Sequence, residues 1–268
     1  MKKPRILILS CLALIIISCG TRSTKKDYMV VAYVSGYRNF DFSKIDASSL
    51  THINYAFANI IEGEVRFGGE AIDNTDMNAG DISVLTALKK VNPDLKVLVS
   101  VGGWGWSGNF SDAALTDSSR NRFAASAARF VREYGLDGID IDWEYPNHPG
   151  AGNTYRPEDV HNFTLMLECV RKHIDSLAAS EGRKEKYLLT IATGASEHYA
   201  VNTELGPLSR YLDFINIMTY DFHHGASTQT GHHANLRLSA WDGPDGDATD
   251  RAVELHLNAG VPPEKINI

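Results

Sequence analysis

The chain has 268 residues, of which 43% are hydrophobic and 22% are charged, as is usual for a globular protein. This length suits one large domain or two small ones. The formal net charge is −7, which argues against nucleic acid and anionic membrane surfaces as binding partners and is compatible with a neutral substrate.

The first 18 residues have the pattern of a targeting segment. Lys2, Lys3 and Arg5 precede an apolar run over 6–17, and that run is shorter than the roughly 20 residues that span a bilayer. Residues 16–19 (IISC) resemble a bacterial lipobox, which implies a lipoprotein signal peptide over 1–18, lipidation of Cys19 and a polar tether over 19–28. We therefore expect a protein held at the bacterial cell envelope, at the outer membrane or cell surface, by its lipid alone. The alternative is a plain secretory peptide and a secreted protein.

From residue 29 onward, predicted strands and helices alternate. The strands are predicted at 29–37, 51–60, 95–101, 137–146, 187–193 and 212–220, and a seventh begins at 265–268. The helices are predicted around 43–49, at 82–91 with Asp81 as its cap, and at 117–134, 157–181 and 248–259. The clearest helical stripe repeats apolar residues at three- and four-residue steps: Val160, Phe163, Leu167, Val170, Ile174 and Leu177.

This alternation predicts an α/β fold with a parallel sheet and helices outside it. Both a doubly wound sheet and a (β/α)₈ barrel fit the pattern. The sequence contains no Gly-x-Gly-x-x-Gly or phosphate loop, so nucleotide-binding folds are disfavoured and we expect no cofactor. Polar residues at the carboxyl ends of several strands favour the TIM barrel. About six of the eight βα units can be counted, so we expect an incomplete barrel, from a truncated reading frame or a gene fragment.

The most informative stretch is Asp137 to Pro146, DGIDIDWEYP. In a strand, Asp140, Asp142 and Glu144 share one face because successive side chains alternate. Like charges this close resist ionising together, so the pKa of at least one should rise, as a general acid requires. A solvated acidic turn and a site for a hard cation are the alternatives.

The spacing of these acids resembles the D-x-x-D-x-D-x-E signature of glycoside hydrolase family 18, the chitinase family, which the rest of 29–268 also resembles. The resemblance implies a partial catalytic barrel that hydrolyses β-1,4-linked N-acetylglucosamine polymers without a metal, by a substrate-assisted route with retained configuration. It implies that Glu144 is the acid and then the base, that Asp142 holds the substrate's acetamido group, and that Asp140 tunes Asp142. It also implies that Tyr220 orients the acetamido oxygen.

Two further motifs resemble the family pattern. Ser100 to Gly103 (SVGG) ends the third predicted strand, and Ser100 is expected to hydrogen-bond Asp140. Residues 218–221 (MTYD) end the sixth. Together with aromatic residues near the strand ends, these motifs give the predicted substrate-binding residues, which are Tyr33, Phe57, Ser100, Gly103, Trp104, Tyr145, Met218 and Asp221.

Three other features have competing interpretations. The paired histidines at 223–224 and 232–233 could bind a metal, but they are similar to the family's own loop, and we prefer a non-metal role. The aspartates at 242, 245, 247 and 250 could bind calcium, but turn formation and capping of the last helix fit better. Cys169 has no partner for an intrachain disulfide once Cys11 and Cys19 are assigned to the N-terminal segment, and we expect it to fill the core.

Other functions remain open at the level of sequence. An endo-β-N-acetylglucosaminidase acting on N-glycans would use the same chemistry. A non-catalytic carbohydrate-binding protein would need no Glu144, which is present. An inactive fragment is the third alternative, because the family's later tryptophan and its small insertion domain have no counterpart here.

Overall fold

The computed structural model describes residues 28–36, 40–68, 75–242 and 246–268. The predicted signal peptide, the lipidation site Cys19 and nearly all of the predicted tether lie outside these ranges. Within them, every helix is too short or too polar to cross a lipid bilayer.

The described part of the chain contains eight strands, seven of which run parallel in one curved sheet. The exception is β3, which pairs antiparallel with β2 and forms a hairpin at the sheet's rim. The strands are β1 (Val31–Ser35), β2 (His52–Ile61), β3 (Glu64–Arg66), β4 (Lys96–Gly102), β5 (Gly138–Asp142), β6 (Leu188–Gly194), β7 (Phe214–Met218) and β8 (Ile266–Asn267).

The parallel strands pair in chain order, β1-β2-β4-β5-β6-β7-β8. Each connection therefore brings the chain back to the same end of the sheet, as in a barrel. The pairing path begins at β1 and ends at β8, so within the described residues the sheet is an open arc. These findings confirm a fold of the (β/α)₈ type, present as part of a barrel, and exclude the doubly wound alternative.

The described residues contain seven α-helices, which alternate with the strands along the chain. They are α1 (Thr75–Ala87), α2 (Phe110–Ala114), α3 (Asp117–Glu133), α4 (Asp159–Ser180), α5 (Glu197–Val201), α6 (Leu205–Ser209) and α7 (Thr249–Asn258). Thr116 and Ser119 form a capping box at the start of α3. Gly135 follows α3 with a φ of +62°, which a residue without a Cβ adopts at little cost.

The two faces of the sheet differ in chemistry. Outward-facing apolar residues such as Val99, Ile139 and Ile191 are fully buried against the helices. Inward-facing residues at the same level include Ser100, Asp140 and Thr190, which are also fully buried but polar. A buried polar group destabilises the fold unless it is hydrogen-bonded. The polar inner layer therefore indicates where the functional site lies.

The structure corrects several predicted boundaries. Asp81 does not cap a helix: it lies inside α1, and its Oδ2 accepts a hydrogen bond of 2.9 Å from the buried Tyr55 hydroxyl. The acidic strand ends at Asp142, so Glu144 lies in the turn beyond it. The sixth parallel strand likewise ends at Met218, before Tyr220.

Candidate active site

A cleft of about 1070 Å³ opens at the carboxyl ends of the central strands. The last residues of β4, β5, β6 and β7 all line it, namely Gly102, Asp142, Gly194 and Met218. Parallel strands bring their carboxyl ends to one rim, and loops there can carry varied side chains on a rigid support. Asp142 and Glu144 line the cleft at this rim, and Asp140 is buried two residues before Asp142 in β5.

The acids owe their position to the apolar residues between them. Ile139 and Ile141 are fully buried on the outer face. Trp143 stacks on Phe110 of α2 with ring centroids 5.3 Å apart, and it meets Phe163 of α4 edge-on at 5.2 Å. These contacts fix the register of β5, and alternation then turns Asp140 and Asp142 toward the inner face.

Asp140 is the deepest of the acids and is held by three hydroxyl groups. Its Oδ2 accepts hydrogen bonds from Tyr33 Oη at 2.9 Å and Ser100 Oγ at 2.7 Å, and its Oδ1 accepts one from Thr190. The expected Ser100 contact is thus confirmed. Complete burial raises the pKa of Asp140, and these hydrogen bonds oppose the rise because they favour the charged form.

The carboxyl group of Asp142 has fewer hydrogen bonds to offset its burial than that of Asp140. It is 4% exposed, and its Oδ1 has no hydrogen-bond partner among the described residues. Burial, followed by the charges of Glu144 and Asp140, raises the pKa of Asp142 well above its usual value. A carboxyl group in this state is ready to hold a proton or to pair with a donor that enters the cleft.

Glu144 lies in the turn after β5 and lines the cleft beside Asp142. Burial raises the pKa of Glu144, the charge of Asp221 adds to the rise, and a hydrogen bond from Tyr145 opposes it. A glutamic acid that stays protonated closer to neutral pH can act as a general acid.

Sequence reasoning missed Ser107, which fastens this turn in place. Ser107 is 1% exposed, and its Oγ accepts a hydrogen bond of 2.9 Å from the backbone N–H of Glu144. The same hydroxyl lies 2.9 Å from the carbonyl oxygen of Gly103 and 3.1 Å from that of Asp142, so its proton can be donated to either. No local pattern marks this serine, because its partners are 35 residues or more away in sequence or lie in the preceding turn.

Gly102 and Gly103 allow the loop after β4 to approach the acids. Gly103 N–H donates a hydrogen bond of 2.8 Å to the carbonyl of Asp142. A Cβ on Gly102 would lie 2.3 Å from that carbonyl oxygen, and one on Gly103 would lie 2.7 Å from the ring of Phe57. Both have positive φ values, +106° and +76°, so both positions favour glycine.

Tyr220 and Asp221 also line the cleft. Burial and the nearby carboxylates raise the pKa of Tyr220 to about 12, so its hydroxyl remains a proton donor. Its ring stacks on His233 at 6.4 Å, and His233 Nδ1 lies 3.5 Å from Asp221. Phe222 N–H also donates to the carbonyl oxygen of His233 at 3.0 Å, so the histidine loop braces this part of the rim.

The predicted substrate-binding residues divide into two groups. Those that line the cleft are Phe57, Trp104, Tyr145, Met218 and Asp221. Tyr33, Ser100 and Gly103 do not: Ser100 is fully buried and Tyr33 points its hydroxyl at Asp140. Tyr33 is also 39% exposed, and substrate contact by these three residues stays a prediction.

The structure also bears on the histidine loop and the aspartate loop, for which the sequence left two interpretations open. In the described ranges, no group of three or more His, Cys, Asp or Glu side chains is arranged to hold a metal ion. Asp242 Oδ2 accepts a hydrogen bond of 2.6 Å from Ser239 N–H, as expected for a turn, whereas Asp245 lies outside the described residues. At the start of the last helix, Asp250 Oδ1 accepts a hydrogen bond of 2.8 Å from Arg251 N–H, as expected for capping by an aspartate, whereas the N–H groups of Thr249 and Asp250 donate to backbone carbonyls at 235–236. Cys169 is partly buried and packs against the core, as predicted.

Comparison with known proteins gives the family. The sequence model described as Glycosyl hydrolases family 18 matches residues 29–268. Chitinase A1 of Niallia circulans is 39% identical, over 92% of this chain and 42% of its own length. Chitinase 1 of Aphanocladium album is 37% identical, over 85% and 56%.

A solved structure agrees with these sequence relatives. A glycoside hydrolase family 18 N-acetylglucosaminidase from Paenibacillus barengoltzii superposes with a TM-score of 0.78 and 42% identity, covering 89% of this chain and 67% of its own. The chain spans about half the length of the two curated relatives. The family match over 29–268, the relatives above 30% identity and the shared fold together show that this chain belongs to glycoside hydrolase family 18.

Proposed function

We propose that this protein hydrolyses β-1,4-linked N-acetylglucosamine polymers such as chitin. The observation that carries the proposal is the pairing, in one cleft, of Glu144 and the buried Asp142, both with a raised pKa. The chitinase relatives support the substrate class. Because an uncharged sugar polymer is the substrate, the acidic balance of the chain is no obstacle.

In the proposed first step, Glu144 donates its proton to the glycosidic oxygen as the bond to the anomeric carbon breaks. The carbonyl oxygen of the substrate's own 2-acetamido group bonds to that carbon, and a cyclic oxazolinium ion forms. The raised pKa of Glu144 suits it to donate this proton, and the leaving group departs as a neutral alcohol.

Asp142 supplies the negative charge that this intermediate needs. Its Oδ1 has no partner among the described residues, so it can accept the acetamido N–H and stabilise the developing positive charge. Asp140 lies beneath Asp142 and shares the proton that Asp142 holds at rest, so that Asp142 can carry the negative charge. The Tyr220 hydroxyl donates to the acetamido oxygen and orients it for attack.

The second step returns the enzyme to its starting state. Glu144, now a carboxylate, takes a proton from water as the water oxygen adds to the anomeric carbon and opens the oxazolinium ring. Two inversions at one carbon give net retention. No metal or cofactor takes part in this proposal, and each proton has a named carrier.

The Glu144→Gln variant tests the assignment. The amide keeps the size of the side chain and cannot donate a catalytic proton, so turnover of a fluorogenic chitobioside should fall by about 10²-fold or more, since general acid catalysis contributes that much. Chitooligosaccharide binding should persist. Unchanged turnover in this variant would end the assignment.

The form of the natural substrate is a finer question. One structural relative is named an N-acetylglucosaminidase, and an endo-β-N-acetylglucosaminidase acting on N-glycans would use the same groups. Assays on chitohexaose and on a glycoprotein, with product sizes measured by mass spectrometry, separate these possibilities. Release of chitobiose or longer products from chitohexaose is the outcome we expect.

We also propose that residues 1–18 are removed as a lipoprotein signal peptide and that Cys19 carries the lipid, with 29–268 as the catalytic region. The basic start, the apolar run and the sequence IISC support this proposal. Metabolic labelling with a clickable fatty acid in a bacterial host tests it, with Cys19→Ser as the control that should lose the label. Equal label in both proteins would contradict it.

A further inference from the structure

Asp159 carries a buried carboxyl group to which the proposed chemistry gives no role. It is the first residue of α4 and is fully buried. Its Oδ1 accepts a hydrogen bond of 2.7 Å from Ser111 Oγ. Its Oδ2 accepts two, from the backbone N–H of Arg156 at 2.7 Å and from that of Asn147 at 3.4 Å. A buried carboxyl group destabilises a fold unless donors surround it, and these three donors all precede α4 in the chain. The side chain therefore joins segments outside its own helix.

One of these segments is the loop that follows Glu144. Asn147 lies three residues after Glu144 and has a φ of +53°, a conformation that few residues other than glycine and asparagine adopt readily. Further along, the loop folds back on Glu144, because a Cβ on Gly150 would lie 2.3 Å from the Glu144 carbonyl oxygen. The N–H of Gly150 donates to Asn153 Oδ1, which closes this part of the loop. The loop thus packs against the backbone of Glu144, and Asp159 holds it at Asn147.

The other oxygen of Asp159 is joined to α2. Ser111 lies in α2 and is fully buried, and its Oγ accepts a hydrogen bond of 2.6 Å from Arg156 Nη1 while it donates to Asp159. Phe110, its neighbour in α2, stacks on Trp143 just after β5 with ring centroids 5.3 Å apart. Asp159 therefore connects the loop to a helix whose position beside β5 is already fixed by packing.

We propose that Asp159 is a positioning residue: it holds the backbone that follows Glu144, as Ser107 holds the backbone N–H of Glu144 itself. This inference rests on the proposed function, in which Glu144 carries the catalytic proton. Asp159 is fully buried and is not among the residues that line the cleft, so it does not touch the substrate. Replacing Asp159 should therefore disturb the placement of Glu144 more than the binding of substrate, which lowers kcat and leaves KM nearly unchanged.

Three variants of the full chain test the inference in steady-state kinetics on a fluorogenic chitobioside. Asp159→Ala removes the acceptor of both backbone N–H groups, and kcat should fall by about 10- to 100-fold, the effect of displacing a reacting group by about 1 Å. Asp159→Asn can turn its oxygen toward the two N–H groups and its amide toward Ser111 Oγ, so it should retain most of kcat. Ser111→Ala is the matched control: it removes the third donor and leaves the acceptor of the loop in place, so kcat should stay close to that of wild type.

The pH profile gives a readout that a loss of stability alone would not move. Burial and the charge of Asp221 raise the pKa of Glu144. The titratable groups that face Glu144 are those of Asp142, Asp221, Tyr145, Tyr199 and Tyr220. If the turn loosens in Asp159→Ala, Glu144 becomes more exposed, its pKa falls toward the ordinary value, and its acid form is lost at lower pH. The alkaline limb of kcat/KM should therefore move to lower pH in Asp159→Ala and stay in place in Ser111→Ala.

Glu144→Gln, assayed in parallel, separates this inference from the proposed function. If that variant keeps wild-type turnover, the proposed function fails and the inference fails with it. If Glu144→Gln is inactive while Asp159→Ala keeps wild-type kcat and an unmoved alkaline limb, the proposed function stands and the inference is overturned. An equal fall in kcat and an equal shift of the limb in Ser111→Ala would also overturn it, since the effect would then be a general loosening around α2. Asp159→Ser replaces Asp159→Ala in these comparisons if urea denaturation shows that the alanine variant is unfolded.

Discussion

The Ser107→Ala substitution removes one hydroxyl group that joins the end of β5 to the loop after β4. The Oγ accepts the Glu144 N–H at 2.9 Å and lies within 3.1 Å of the carbonyl oxygens of Gly103 and Asp142. Ser107 is 1% exposed, so water does not readily take over these contacts. The change therefore leaves a buried N–H without its partner at the residue proposed to carry the catalytic proton.

The size of the effect follows from this geometry. A buried donor left unsatisfied costs about 1–3 kcal/mol, so we expect the free energy of unfolding to fall by about 2 kcal/mol. The turn that carries Glu144 also loses its anchor. A displacement of about 1 Å at a reacting group can reduce the rate about 10²-fold, so kcat should fall by one to two orders of magnitude while KM changes little.

Steady-state kinetics on a fluorogenic chitobioside and urea denaturation measure the two effects. Ser107→Thr restores the hydroxyl and should recover part of kcat, whereas Ser107→Ala should not. Ser180→Ala is a matched control, since its Oγ donates to Leu177 O at the exposed end of α4. Wild-type kcat in Ser107→Ala would refute the reasoning, because the hydroxyl would then have no role in placing Glu144.

Three further predictions concern the floor of the cleft. Gly102→Ala should destabilise the fold by about 2 kcal/mol or more, because the Cβ would lie 2.3 Å from the Asp142 carbonyl at a φ of +106°. Gly105→Ala, which meets no atom within 4 Å, should unfold in urea like wild type, and equal loss in both would contradict the steric argument. Because the pKa of Asp142 is raised on folding, the folded state binds this proton more tightly than the unfolded state does. The resulting contribution to stability is complete below the ordinary pKa of 3.8 and is lost as the pH rises through the pKa of the folded state. Asp142→Asn should therefore raise Tm at pH 7 by a few degrees and abolish activity, and a lower Tm would be the contrary result. Tyr33→Phe removes a donor that favours the charged form of Asp140, so the pKa of Asp140 should rise and the acid limb of the pH–activity profile should move to higher pH; an unmoved limb would count against this coupling.

Much of the fold could be predicted because its apolar residues follow simple periods. In α4 the stripe from Val160 to Leu177 repeats at helical spacing, and in β5 the isoleucines alternate with acids. The hairpin that forms β3 was missed for a physical reason. Glu62 and Gly63 have φ values of +52° and +76°, as in a tight hairpin turn, but glutamate seldom occupies such a position and gives no sequence signal.

The part of the candidate site that could be predicted is the part set by pairing between neighbouring strands. Register alone pairs Ser100 with Asp140 across β4 and β5, and their hydrogen bond follows. The contacts of Ser107 and Thr190 depend on how loops and strands distant in sequence come together. Those contacts leave no periodic pattern, so only the folded chain reveals them.

The most direct test of the central claim compares two substrates that differ only at carbon 2. A fluorogenic chitobioside carries the acetamido group that is proposed to attack the anomeric carbon, and a fluorogenic cellobioside carries a hydroxyl in its place. We predict that the protein cleaves the chitobioside and leaves the cellobioside intact. Comparable rates on both would contradict participation of the acetamido group and, with it, the roles proposed for Asp142 and Tyr220.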